Sequence, residues 1–99
     1  RADVVPGSRG RTSAGPAVLA VTEQVAEEFS LRLEHDIPYR GGYSTGRYGR
    51  PAEGVHAIQI ELSRSTYMDE MTLVRQEPGF STARAFCREL VRRLGELQL

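Results

Sequence analysis

A chain of 99 residues has room for one domain and no more. Hydrophobic residues make up 39% and charged residues 26%, the balance of a soluble globular chain rather than a disordered one. Thirteen basic and thirteen acidic residues cancel, which excludes the net basic footprint of a dedicated nucleic-acid binder, and no apolar run approaches membrane-spanning length. Every basic residue is an arginine, whose planar fork suits carboxylate recognition. The single cysteine, Cys87, excludes an intramolecular disulfide framework and fits a reducing compartment such as the cytoplasm. The chain opens Arg1-Ala2-Asp3, without Met and without a signal-peptide pattern, so it is expected to be either a single small domain or a fragment of a larger one.

Asp3-Val4-Val5 predicts a short strand stopped by Pro6-Gly7, with a Gly/Ser/Arg loop over 8–15. Pro16 can open a helix, because its missing N–H would have no partner there. From it Val18, Val21, Val25 and Phe29 recur at spacings of three and four, so a helix is predicted over 16–29. Leu31 and Leu33 alternate with Arg32 and Glu34, predicting a strand over 30–35. Residues 36–54 hold five glycines and two prolines and read as one long loop, which in so small a domain is functional or disordered. Val55–Leu62 is the clearest strand, with His56, Ile58, Ile60 and Leu62 on one face and Val55, Ala57, Gln59 and Glu61 on the other. Residues 63–79 look irregular, with a helical turn near Asp69–Leu73. The last element is an amphipathic helix over about 80–97, striped by Ala83, Phe86, Cys87, Leu90, Val91, Leu94 and Leu97. Strand, helix, strand, loop, strand, helix is the order of an α/β layer structure, a partial open sheet with flanking helices. In such sheets ligands sit beyond the carboxyl ends of the strands, which would bring the long loop and Glu61 to one edge.

Chemistry concentrates in two places. The loop carries Tyr39, Tyr43 and Tyr48 with Arg40, Arg47 and Arg50, and no acid falls between Ile37 and Ala52. Arginine forks around the flexible pair Gly41-Gly42 make an anion site or, equally, a solvated loop. Glu61 is a carboxylate inside an apolar strand, costly unless it is paired or used. It is either a proton-transfer group or the partner of Arg64 or Arg40 in a structural salt bridge. His56 lies on the opposite face from Glu61, so the two make a poor dyad and a hydrogen-bonded structural histidine is expected. His35 and His56 belong to no HxxE or HxxxH pair, and Cys87 on the apolar stripe reads as core, so no metal site is expected within the chain.

Three blocks carry a resemblance: Pro38-Tyr39-Arg40-Gly41-Gly42-Tyr43, then Tyr48-Gly49-Arg50-Pro51, then Gly54 through Glu70 with Gln59-Ile60-Glu61-Leu62 at its centre. In this order and spacing they resemble the C-terminal part of the N-formylglutamate amidohydrolase family. Asp36 and Ser63 stand where that family usually carries Asn. The resemblance implies the C-terminal portion of a zinc-carboxypeptidase or aspartoacylase-like fold, and a zinc-dependent deformylase whose metal ligands lie upstream. It implies Glu61 as the catalytic carboxylate. Arg40, Arg47 and Arg64 would hold substrate carboxylate, and Tyr39, Tyr43, Gly41 and Gly42 would shape the pocket. The partner it implies is a small N-acyl amino acid, N-formyl-L-glutamate, cleaved to formate and L-glutamate in histidine degradation, with no nucleic acid and no membrane. Zinc is expected in the complete enzyme and not on this chain alone, which is expected to be inactive and to self-associate through exposed apolar surface. The alternatives are a truncated, non-catalytic domain that binds a carboxylate or a protein partner, and a deacylase for a different N-acyl amino acid.

Overall fold

The sheet is built around its first strand. In a computed structural model of the chain, which describes residues 2–97, β1 (Val4–Gly7) pairs antiparallel with β2 (Gln59–Leu62), in the register Val4↔Leu62, Val5↔Glu61, Pro6↔Ile60, Gly7↔Gln59. The expected stop at Pro6-Gly7 is thus overturned. The reason lies in the alternation of an antiparallel ladder. Val4 turns its polar groups away from β2, donating to Arg32 O at 2.9 Å and accepting from Glu34 N at 3.1 Å. Pro6, two residues on, turns the same way, so its missing N–H falls outside the β1–β2 ladder. Its carbonyl is still used, by the N–H of Asp36 at 2.9 Å.

Residues 32–36 therefore run parallel to β1 on its other side, but only one bridge forms, Val4↔Leu33, where a strand over 30–35 was expected. Ser30 and Asp36 both have left-handed φ, 56° and 64°, which bend the chain away at each end. Short polar side chains such as Asp36 tolerate that conformation best. The strand expected over 55–62 is halved. Its first part bonds to residues 13–15 instead: Ala57 N donates to Ser13 O at 2.9 Å, and Ser13 Oγ donates to Ala57 O at 2.6 Å. Val55 closes a small antiparallel bridge with Arg50.

Two helices cover one face of the sheet. α1 (Pro16–Glu28) starts at its proline, as the sequence indicates, and buries Val18, Leu19, Thr22, Val25 and Ala26. Thr22 is tolerated in the core because its hydroxyl donates to Val18 O at 2.9 Å. The helix over Tyr43–Tyr48, α2, replaces part of the expected loop. The C-terminal helix, α3 below, spans Gly79–Gly95 and buries Ala83, Phe86 and Leu90, whereas Val91 is 72% exposed and lies off the stripe. Val4, Val25, Ala26, Phe86 and Leu90 form the main core, with Ile60 and Leu62 of β2 packed against it. Burial of each large apolar side chain there contributes about 1.5–3 kcal/mol. Phe29 meets Phe86 edge-on, ring centroids 6.2 Å apart. Cys87 is half-buried beside this core, and burial pushes its thiol pKa up, away from reactivity.

Between β2 and the C-terminal helix, the stretch expected to be irregular folds into a hairpin, β3 (Met68–Asp69) with β4 (Val74–Arg75). The expected turn is present at its tip. Asp69 Oδ1 accepts from Met71 N and Thr72 N at 2.8 and 3.2 Å, and Leu73 N donates to Asp69 O at 2.7 Å. The molecule measures 44 × 25 × 17 Å, and the short axis is that of a sheet and one layer of helices. α1 and α3 pack on the core face of the β1–β2 pair, in keeping with the expected sheet flanked by helices. No described helix is long and apolar enough to cross a membrane.

Candidate functional site

Side chains alternate along a strand, so the residues that do not enter the core emerge on the opposite face. Val4, Ile60 and Leu62 go to the helices. Val5, Gly7, Gln59 and Glu61 lie at the alternate positions, as two directly paired couples, Val5↔Glu61 and Gly7↔Gln59. That parity, already visible in the sequence, puts Gln59 beside Glu61. Gln59 Nε2 donates to Glu61 Oε1 at 2.6 Å.

The loop 37–42 is seated against this face by glycines. A Cβ on Gly7 would stand 2.5 Å from Gly41 N and 2.8 Å from Arg40 C, so only glycine admits the loop so close. Gly41 itself has φ +103°, a conformation other residues rarely adopt. Arg9 N donates to Arg40 O at 2.8 Å, and Gly42 N donates to Gln59 Oε1 at 2.7 Å. Beyond Gly42 the chain enters α2, where Thr45 is buried and its hydroxyl donates to Gly42 O at 2.7 Å.

Glu61 is half-buried on the wall of a cavity of about 510 Å³. Val5, Ile37 and Pro38 supply apolar lining, and Tyr39 and Ser63 part of its polar lining. Among the described residues its charged lining is three carboxylates, Glu34, Glu61 and Glu70, and one guanidinium, Arg64. The cavity can therefore offer a carboxylate for proton transfer, one cation for an anionic group, and a phenol at the rim.

Of the residues singled out from sequence, the fold brings Glu61, Arg64 and Tyr39 together here. Arg40, Arg47, Tyr43, Gly41 and Gly42 do not line the cavity. Arg47 lies over the ring of Tyr48, 5.3 Å from its centroid, and Tyr43 at the start of α2 is 76% exposed. Gly41 and Gly42 act in seating the loop. The expected edge beyond the strands' carboxyl ends is corrected: β2 runs against β1, so the loop and Glu61 meet across a sheet face. The salt bridge from Glu61 to Arg64 or Arg40 does not form; among the described residues Glu61 is in no ion pair and its partner is Gln59. Sequence reading missed Gln59 and the carboxylates Glu34 and Glu70.

Neither histidine is at the cavity. His56 Nδ1 accepts from the Gly15 N–H at 2.8 Å at the start of α1, the structural role expected of it. His35 Nε2 meets Glu23 Oε2 at 2.7 Å. Among the described residues no three of His, Cys, Asp or Glu converge as metal ligands.

Comparison with known proteins follows the same lines. The family model described as N-formylglutamate amidohydrolase matches residues 1–68. An N-formylglutamate deformylase of Pseudomonas aeruginosa is 38% identical over 92 residues, 89% of this chain and 34% of that protein. An N-formylglutamate deformylase of Pseudomonas putida is 53% identical over 32 residues, 32% of this chain and 12% of that protein. The crystal structure of N-formylglutamate amidohydrolase from Ralstonia eutropha JMP134 superposes with a TM-score of 0.83 at 32% identity, over 93% of this chain and 33% of that one. The chain thus spans about a third of the length of the Pseudomonas aeruginosa and Ralstonia proteins. With more than half of its residues matched by the family model and its fold superposed on a solved member, the chain belongs to the N-formylglutamate amidohydrolase family.

Proposed function

We propose that this segment supplies the general acid–base carboxylate, Glu61, to an amidohydrolase that cleaves N-formyl-L-glutamate to formate and L-glutamate. The observation that carries the proposal is the position of Glu61: half-buried on a cavity wall, on the sheet face away from the core, in no ion pair with a described residue. In the reaction water adds to the formyl carbon and the C–N bond breaks. Glu61 takes the proton of the attacking water and returns it to the departing amine nitrogen, which leaves as the free amine of glutamate. Arg64 faces an anionic group of the substrate, and Tyr39 borders the opening. Family resemblance also supports a zinc-carboxypeptidase-like whole fold and a place in histidine degradation for the intact protein.

Among the described residues the cavity has one guanidinium and three carboxylates, which favours a second reading, a deacylase for an N-acyl amino acid carrying one carboxylate rather than two. Turnover of a panel of N-acyl amino acids separates the two substrates.

The test of the central claim is Glu61→Gln in an intact deformylase carrying this segment. Gln has nearly the same shape but cannot move the proton. kcat should fall by about two to four orders of magnitude, with KM and melting temperature close to those of the parent. Near-normal kcat would end the assignment. A purely structural Glu61 would show the reverse, a lower melting temperature with kcat spared.

A further inference from the structure

Proton transfer by Glu61 leaves Gln59 without a role, yet its amide makes two hydrogen bonds of opposite sense. Its Oε1 accepts from Gly42 N at 2.7 Å, and its Nε2 donates to Glu61 Oε1 at 2.6 Å. A backbone N–H can only donate, so the Gly42 bond fixes which end of the amide is oxygen. The NH₂ end then faces Glu61 and has nothing to accept with. It bonds an unprotonated carboxylate oxygen and opposes a proton on that atom. Gly42 is held within reach by the contact of Gly41 with Gly7, the residue paired with Gln59 across the sheet.

We propose that Gln59 is a positioning residue for Glu61. It holds Oε1 as a fixed acceptor, leaves Oε2 as the oxygen that takes and returns the proton, and couples the carboxylate to the seat of the Gly41-Gly42 loop. This rests on the reading of Glu61 as the proton-transfer group. The geometry explains the side chain's length: residues two apart on a strand share a face, and Gln spans from the loop amide to its neighbour's carboxylate.

The test uses three variants of an intact deformylase carrying this segment, Glu61→Gln, Gln59→Glu and Gln59→Leu, with kcat, KM, their pH profiles and melting temperature measured for each. Gln59→Glu keeps an acceptor for Gly42 N but sets a second carboxylate against Glu61. Like charges at that distance disfavour ionisation, so the acid limb of the kcat/KM profile should move up by about one pH unit or more. Gln59→Leu removes both bonds and should lower kcat by about tenfold with a smaller change in KM, the cost of one misplaced hydrogen-bonded group. An unmoved acid limb in Gln59→Glu, with Glu61→Gln still inactive, overturns the positioning role and leaves the role of Glu61 standing. Full turnover by Glu61→Gln overturns the proton-transfer reading, and the positioning role with it. Should Gln59→Glu fail to fold, Gln59→Leu decides: a lowered melting temperature with kcat unchanged overturns the proposal, and a kcat loss at near-constant KM supports it.

Discussion

At the scale of single residues, the sequence is most informative where a side chain conflicts with its surroundings. Glu61 in an apolar strand is such a conflict, and so is a run of arginines without acids. The first leads to the cavity, whereas most of the second does not. Arg40 and Arg47 share the loop with Tyr39, but a loop's path cannot be read from its composition, and the seat made by Gly7 and Gly41 turns them elsewhere. Gln59 was hidden for a related reason: its strand face follows from parity, but its loop partner lies 17 residues away. These placements sort the arginines by function. Arg64→Ala in an intact deformylase should raise KM for a substrate bearing a side-chain carboxylate by about tenfold, the scale of an exposed charge-assisted hydrogen bond, and raise it less for a neutral N-formyl amide. Arg47→Ala should leave both constants near their starting values. Steady-state kinetics with the two substrates check this.

Among the elements, α1 and α3 were legible because a 3.6-residue period needs only local sequence. The short helix α2 was not, because Tyr43–Tyr48 has weak intrinsic helix preference; its Thr45 is buried and bonds back to Gly42 O. Nor was strand direction, which depends on pairing between distant segments. What the helix pattern also left unread is a charged clasp on the α1–α3 seam. Arg93 Nη1 donates to Glu28 Oε2 at 2.7 Å and its Nε to Glu89 Oε2 at 2.6 Å, while Arg92 Nη2 donates to the same Glu89 oxygen at 2.6 Å. The hydrogen bonds from Arg92 and Arg93 hold the Glu89 carboxyl down to about 2, and that from Arg93 lowers Glu28. A carboxyl whose folded pKa lies below its unfolded value stabilises fully above the unfolded value, 4.5, and loses that contribution as pH falls toward the folded one. Melting temperature should therefore hold steady from neutral pH to about 5 and then drop between about 4.5 and 2. Glu89→Gln should make that drop shallower, measured by thermal melts in a pH series. Added salt should weaken the clasp at its more exposed members, Arg92 and Glu28.

Seen as a whole, the β1–β2 pair has one face covered by α1 and α3 and the other partly covered by the loop 37–42. The second face carries the cavity, and the β3–β4 hairpin adds Met71, Leu73 and Val74, which are 92%, 64% and 59% exposed. A 99-residue chain with so much apolar surface in water should self-associate or melt at modest temperature. Size-exclusion chromatography across a concentration series checks it, and a compact, highly stable monomer at every concentration would contradict it.

The single pairing of β2 has a consequence for amide hydrogen exchange. Gln59 and Glu61 turn their N–H groups toward β1, whereas Ile60 and Leu62 turn theirs to an edge with no strand beside it among the described residues. In the 99-residue chain the Glu61 amide should exchange slowly and those of Ile60 and Leu62 quickly, a protection pattern that alternates along one strand. In a longer protein that lays another strand against that edge, the alternation should vanish and all three amides should become slow. The deuterium uptake of one four-residue strand, read amide by amide, thus reports whether the sheet carrying Glu61 has been extended on its far side.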